Sequence, residues 1–164
     1  MKEQGRMIQR IQTLYFGIAM ILLGIVTAGV EMFSFVTESS RYEVSAFGIT
    51  ESSKESEVLL AHTSYPMFIG TIALILLCFL AIMSYKNLDR QLKLGRIIFG
   101  LYFLGVIGVL VLTMIGEQLI GTKLDAREMG LGFILFIAGF PFTFLANLGI
   151  KRDKRLLDSL DRLR

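Results

Sequence analysis

Four long runs of uncharged residues, set apart by short charged segments, dominate this chain. Residues 11–30 hold 20 uncharged positions in a row, residues 63–85 hold 23, residues 97–116 hold 20 and residues 129–150 hold 22. Coiled as helices at about 1.5 Å per residue, each run spans about 30 Å or a little more, the thickness of bilayer hydrocarbon. The pattern predicts helices over about 8–32, 63–85, 95–116 and 129–150. Between them it predicts external loops at 37–62 and 117–128, a cytoplasmic loop at 86–94 and a cytoplasmic tail at 151–164. The expected fold is all-α, an integral membrane four-helix bundle forming a single transmembrane domain over residues 1–164.

Local signals refine that outline. Arg41-Tyr42-Glu43-Val44-Ser45 alternates and suits a short strand, Ser52 to Glu57 reads as a polar turn, and Val58-Leu59-Leu60 returns toward the membrane. The long loop therefore fits a small hairpin or re-entrant cap, not an independent domain. Ser64-Tyr65-Pro66 suits the start of the second helix, where serine caps and proline is tolerated in the first turn. Leu88, Leu92 and Leu94 suggest helical turns at the inner interface. Gly24 with Ala28, then Gly100, Gly105, Gly108, Gly139 and Thr143, mark faces small enough for close helix packing. Pro141 predicts a kink in the fourth helix. In the tail, Leu156, Leu160 and Leu163 share a face, flanked by opposite charges four apart, which predicts a short amphipathic cytoplasmic helix held on a lipid or protein surface.

Composition agrees with a membrane protein. Apolar residues make up 54% of the chain and charged residues 19%, which leaves too little polar sequence to clothe a water-facing surface. Basic residues precede the first apolar run, but Val26-Thr27-Ala28-Gly29 is a weak cleavage pattern, so the run is read as a retained helix. The single cysteine, Cys78, has no intrachain partner and reads as a small apolar filler. Orientation follows from Lys and Arg. The two termini and the 86–94 connection with Arg96 carry 13 basic and 5 acidic residues, and the other side carries 4 basic and 9 acidic. Retention of basic residues on the cytoplasmic side predicts a multi-pass protein with both termini cytoplasmic. The net charge of +3 thus reads as topology and gives no reason to expect nucleic acid, although the inner face should attract anionic lipid heads.

Met7-Ile8-Gln9-Arg10-Ile11-Gln12-Thr13-Leu14-Tyr15 and the terminal Ser159-Leu160-Asp161-Arg162-Leu163-Arg164 resemble a small uncharacterised membrane-protein family of Bacteroidota, a domain of unknown function. Tyr85-Lys86-Asn87 with Gln91-Leu92-Lys93-Leu94 resembles its basic inner loop. Leu145-Ala146-Asn147 running into Lys151-Arg152-Asp153-Lys154 resembles its exit from the fourth helix. The resemblance implies four-helix inner-membrane proteins with cytoplasmic ends, and carries over no catalytic or binding residue. Two features depart from it. The residues before Met7 are extra, which suggests an upstream start or an extension, and the first external segment lacks the tryptophan and proline expected near the end of the first helix.

Chemistry is sparse. His62 has no Cys or acidic partner at metal-ligand spacing, and the four runs carry no carboxylate within them. Glu31, Glu117 and His62 near the outer interface are the only material for an external site. No enzyme activity, cofactor or metal is expected. Thr27, Thr71, Cys78, Thr113, Thr143 and Asn147 are scattered along the runs, which does not make a transport path. The expectation is a non-catalytic accessory or structural subunit, or assembly factor, of an inner-membrane complex. Its partners would be membrane lipids and other inner-membrane subunits or further copies of itself. Gln9, Arg10, Gln12, Leu156, Leu160, Asp161, Arg162 and Arg164 would form the docking surface. The alternative is an oligomeric transporter or channel for a small solute, ion or lipid, with Pro141, Thr143 and Asn147 along its path.

Overall fold

The computed structural model of the chain describes residues 2–53, 59–121 and 123–161, and the side chains of residues 2–10, 59, 119, 157, 160 and 161 lie outside that description. In chain order the elements are α1 (Lys2–Thr27), β1 (Phe33–Val36), β2 (Ser40–Ser45), β3 (Gly48–Ser53), β4 (Leu59–Ser64), α2 (Phe68–Met83), α3 (Leu88–Met114), the short α4 (Gly116–Ile120), β5 (Ala126–Met129) and α5 (Leu131–Asp161). The protein is therefore mixed α and β. The all-α expectation fails on a five-stranded antiparallel sheet of order β4-β3-β2-β1-β5.

Four helices stand side by side, α1 between α2 and α5, and α3 facing the same two neighbours. Each turns one stripe inward. Phe16, Ala19, Leu23 and Val26 of α1, Thr71, Leu74, Cys78 and Ala81 of α2, and Leu92, Gly95, Ile98 and Tyr102 of α3 are buried at spacings of three or four, as a helical period requires. The opposite faces are also apolar, but they are exposed. Ile69, Leu76 and Phe79 of α2 and Leu104, Val111 and Met114 of α3 are all about half exposed or more.

The helix ends explain where the expectation went astray. The chain leaves α1 through Gly29, whose φ of +97° is open to glycine at little cost. Met32 to Val36 then run extended instead of prolonging the helix to 32. Phe33 and Phe35 pair with Val44 and Tyr42 on one side and with Met129 and Arg127 on the other. At 3% and 1% exposure their burial stabilises by about 2–3 kcal/mol each. They join Leu23, Val26, Val44, Leu74, Tyr102 and Phe136 in the cluster that seats the sheet on the helices. Phe35 presses so closely on Gly116 that a Cβ there would fall 2.4 Å from its ring.

The remaining boundaries shift for similar reasons. The loop expected at 37–62 supplies three strands, paired in register from Ser40↔Ser53 to Gly48↔Ser64; residues 54–57 of the expected turn lie outside the described residues. Ser64 belongs to β4 and does not cap α2, which starts at Phe68. The expected loop at 117–128 holds α4 and most of β5. Most of the expected cytoplasmic loop at 86–94 is the first turns of α3, capped by Asn87, whose side chain accepts from the Arg90 amide at 3.1 Å. The expected separate tail helix is the continuation of α5, because no glycine or proline follows Ile150 and extending a helix is far easier than starting one. Pro141 lies inside that unbroken assignment.

Only two of the described helices have both the length and the hydropathy for a membrane crossing, residues Leu88–Met114 at mean hydropathy 2.5 and Leu131–Leu156 at 2.0. The apolar parts of the others, Ile11–Thr27 and Phe68–Met83, are shorter.

Candidate functional site

The helix end that carries the chain termini holds a set of buried polar side chains, placed there by the same stripes that build the core. Gln12 lies one turn before Phe16 on α1, Asp153 three residues past Ile150 on α5, and Gln91 one turn before Gly95 on α3. Exposures of 1%, 7% and 2% put all three inside. The Gln12 carboxamide donates to the Asp153 carboxylate, joining α1 to α5. Asn147 Nδ2 donates to the Gly95 carbonyl at 2.8 Å, joining α5 to α3. Gly95 makes that approach feasible, since a Cβ there would sit 2.0 Å from Asn147 Oδ1. Gln12 Oε1, Asn147 Oδ1, Gln91 Oε1 and the second carboxylate oxygen of Asp153 have no protein partner among the described residues. Just outside, Lys154 of α5 pairs with Asp89 of α3. Arrangements of this kind hold helices in register where apolar packing alone leaves them free to slide.

Deeper in the helices the polar groups are satisfied locally. Tyr102 Oη donates to the Phe136 carbonyl at 2.7 Å, Thr143 Oγ1 to the Phe140 carbonyl at 2.8 Å, and the Thr27 and Thr71 hydroxyls lie 2.7 Å apart. At the sheet end Arg41 lies 3.3 Å from Glu31, 3.3 Å from Glu43 and 3.2 Å from Glu128. Burial acts to lower the Arg41 pKa, but the Glu31 hydrogen bond and the three carboxylates outweigh it and raise it. These partners are partly exposed, so each pair contributes about 1 kcal/mol or less. Tyr42 Oη donates to Glu51 at 2.9 Å; burial, then Glu51, pushes its pKa up.

The expected interaction residues are not all where a docking surface would need them. Gln12 is turned inward against Asp153. Leu156 is exposed, beside Leu148, Lys151, Arg152 and Arg155 in a shallow cleft of about 550 Å³. Gln9, Arg10, Leu160 and Asp161 have helical backbones, but their side chains, like Arg162 and Arg164 altogether, lie outside the described residues. Of the expected path residues, Pro141 faces outward, Thr143 is buried against its own helix, and Asn147 bonds α3. Among the described residues, none of the three lines the four clefts at the sheet, between α2 and α3, or beside Leu148 and Leu156. The burial of Asp153 and Gln91 was not expected, because charged or amide residues beyond an apolar run read as solvent-facing. Their phase, three or four residues beyond a buried position, was the available signal.

The model of a family described as a domain of unknown function (DUF4293) matches residues 8–163. The chain belongs to that family. The DUF4293 match thus takes in the sheet as well as the helices, and begins just after Met7. No curated protein matches the chain.

Proposed function

We propose that this protein is a non-catalytic accessory or structural subunit of an inner-membrane protein complex. In this reading α3 and α5 cross the bilayer, α1 and α2 lie beside them across most of it, both termini are cytoplasmic, and the sheet stands on the far side. The observation that carries the membrane placement is the outward surface of α3. Only 11% of its most apolar 18-residue window is buried inside the molecule, whereas an apolar helix of a water-soluble core is covered on most sides. The charge asymmetry supplies the orientation. Shorter apolar stretches in α1 and α2 are accommodated by local thinning or by flanking residues that reach the interface.

The role of subunit is supported by the sheet. Its two outer strands are exposed throughout their described side chains, with Leu60 of β4 at 57% and Met129 of β5 at 69%. An exposed edge strand offers a row of backbone donors and acceptors to an added strand. The cleft of Leu148, Lys151, Arg152, Arg155 and Leu156 offers a second, basic and apolar surface at the opposite end.

The test is purification from native membranes in mild detergent or native nanodiscs, with intact-complex mass determination and identification of every bound component. A larger assembly of fixed composition is expected. A lone monomer, or a homo-oligomer carrying lipid alone, would overturn the accessory role and turn attention to transport.

A further inference from the structure

The small residues of α2 and α3 do not all serve helix packing. Gly70 and Ala73 of α2 and Gly105 and Gly108 of α3 line an open groove of about 440 Å³ directly beneath the sheet. Phe136 closes its inner side, and Ala46 with Pro66 forms its roof at the sheet end. A Cβ built on Gly70 or on Gly108 would meet nothing within 4 Å. These glycines therefore leave room that no part of the described protein fills, which is the opposite of a close helix contact.

Three features decide what fills it. The lining has no charged side chain, and its one hydroxyl, Thr71, already lies 3.0 Å from the Phe68 carbonyl and 2.7 Å from Thr27 Oγ1. The groove thus offers no free side-chain hydrogen bond, whereas a protein interface carries about one hydrogen bond per 100–200 Å². Both lips continue into exposed apolar surface, Ile69 and Ile72 on α2 and Leu104 and Val111 on α3. At the sheet end the groove opens beside the exposed Thr63, Ser64 and Tyr65, which are suited to an interface with water.

We propose that this groove is a binding site for a membrane lipid, holding one hydrocarbon chain between α2 and α3 and leaving the headgroup beside the β4–α2 junction. The inference rests on the membrane placement proposed above. The chain enters sideways from the leaflet on the sheet side, and it is recognised by shape and apolarity alone.

The experiment uses the full-length protein in cells supplied with a fatty acid bearing a photoactivatable diazirine and an alkyne. After illumination the protein is purified and its lipid adducts are mapped by peptide mass spectrometry. Adducts are expected to concentrate on residues 67–74 and 101–112. Gly70→Leu and Gly108→Leu, which add bulk only to open space, should each lower them at least fivefold while leaving adducts on Phe144 and Leu148 and the melting temperature unchanged. Adducts spread evenly over the exposed apolar faces and insensitive to both substitutions would overturn the site. So would a groove occupied by a second copy, seen as a covalent dimer when a photoreactive amino acid replaces Leu112. Recovery of the protein outside the membrane fraction would instead refute the placement on which the inference rests.

Discussion

Tyr102 and Gly139 show how far a single residue's meaning depends on its partner. The phenol of Tyr102 is wholly buried, its ring stacks on Phe136 at 5.1 Å, and its hydroxyl donates to the Phe136 carbonyl. Gly139, one turn further along α5, has to be small, because a Cβ there would lie 2.2 Å from Tyr102 Oη. Tyr102→Phe should cost about 0.5–1.5 kcal/mol through the lost hydrogen bond. Gly139→Ala should cost about 1–3 kcal/mol through overpacking. The double substitution should cost less than the sum by about 0.5 kcal/mol or more, because removing the hydroxyl makes room for the methyl. A cycle of unfolding measurements in detergent reads the coupling directly, and strict additivity would show that the two groups do not meet. Gly139 was visible in the sequence as a small residue on a helical face. That Tyr102 was the residue it makes room for was not visible, since 37 positions separate them and only helix docking brings them together.

At the scale of elements, the uncharged runs marked where helices lie but not where they end. Beyond the run 11–30 only Glu31 and Ser34 interrupt the apolar character, since Met32, Phe33, Phe35 and Val36 are as apolar as the helix before them, so the end of the helix is poorly marked. Aromatic and β-branched residues favour strands, but that preference decides the matter only once β2 and β5 supply hydrogen bonds on both sides of β1. The polar join between α1 and α5 is similar. Gln12 and Asp153 are each unremarkable beside a charged segment, yet together they are buried. Gln12→Leu should therefore destabilise by about 1–3 kcal/mol, because it strands a buried carboxylate without its donor. Adding Asp153→Leu should recover most of that loss, since replacing both partners by apolar groups removes the unpaired charge. Thermal unfolding of the two variants checks this; equal stability of the single and double variants would show that Asp153 does not depend on Gln12.

For the whole molecule, all four long helices run from the end that carries the termini to the end that carries the sheet. The two ends differ in kind. One carries Lys86, Arg90, Lys93, Arg96, Lys151, Arg152 and Arg155 with the Gln12–Asp153 and Asp89–Lys154 pairs. The other gathers Arg41 among three carboxylates and two exposed strand edges. The proposed placement puts these ends on opposite sides of the membrane. Cys78 is the only cysteine and is fully buried, so a single cysteine introduced on either end can be read against a quiet background. Glu51→Cys should react with a membrane-impermeant maleimide once the outer envelope is opened, with the inner membrane intact. Arg155→Cys should react at least tenfold less until the inner membrane is permeabilised. Equal labelling of both positions before that step would refute the placement.

What the sequence determined by itself was everything carried by neighbouring residues. It held the four apolar runs, the unequal sharing of charge between their ends, and the alternation of Arg41 to Ser45 that became β2. Run length, charge count and periodicities of two or of about 3.6 are all properties of a chain read in order. Tertiary structure decided the rest. β1 pairs with β5 across roughly ninety residues, so the sheet exists only because the helices deliver the two strands to the same end. The buried polar pair and the groove beneath the sheet likewise depend on which helix face meets which neighbour. The physical reason is that backbone hydrogen bonds and close packing are satisfied by whatever lies alongside in space, and a one-dimensional pattern does not state what that will be.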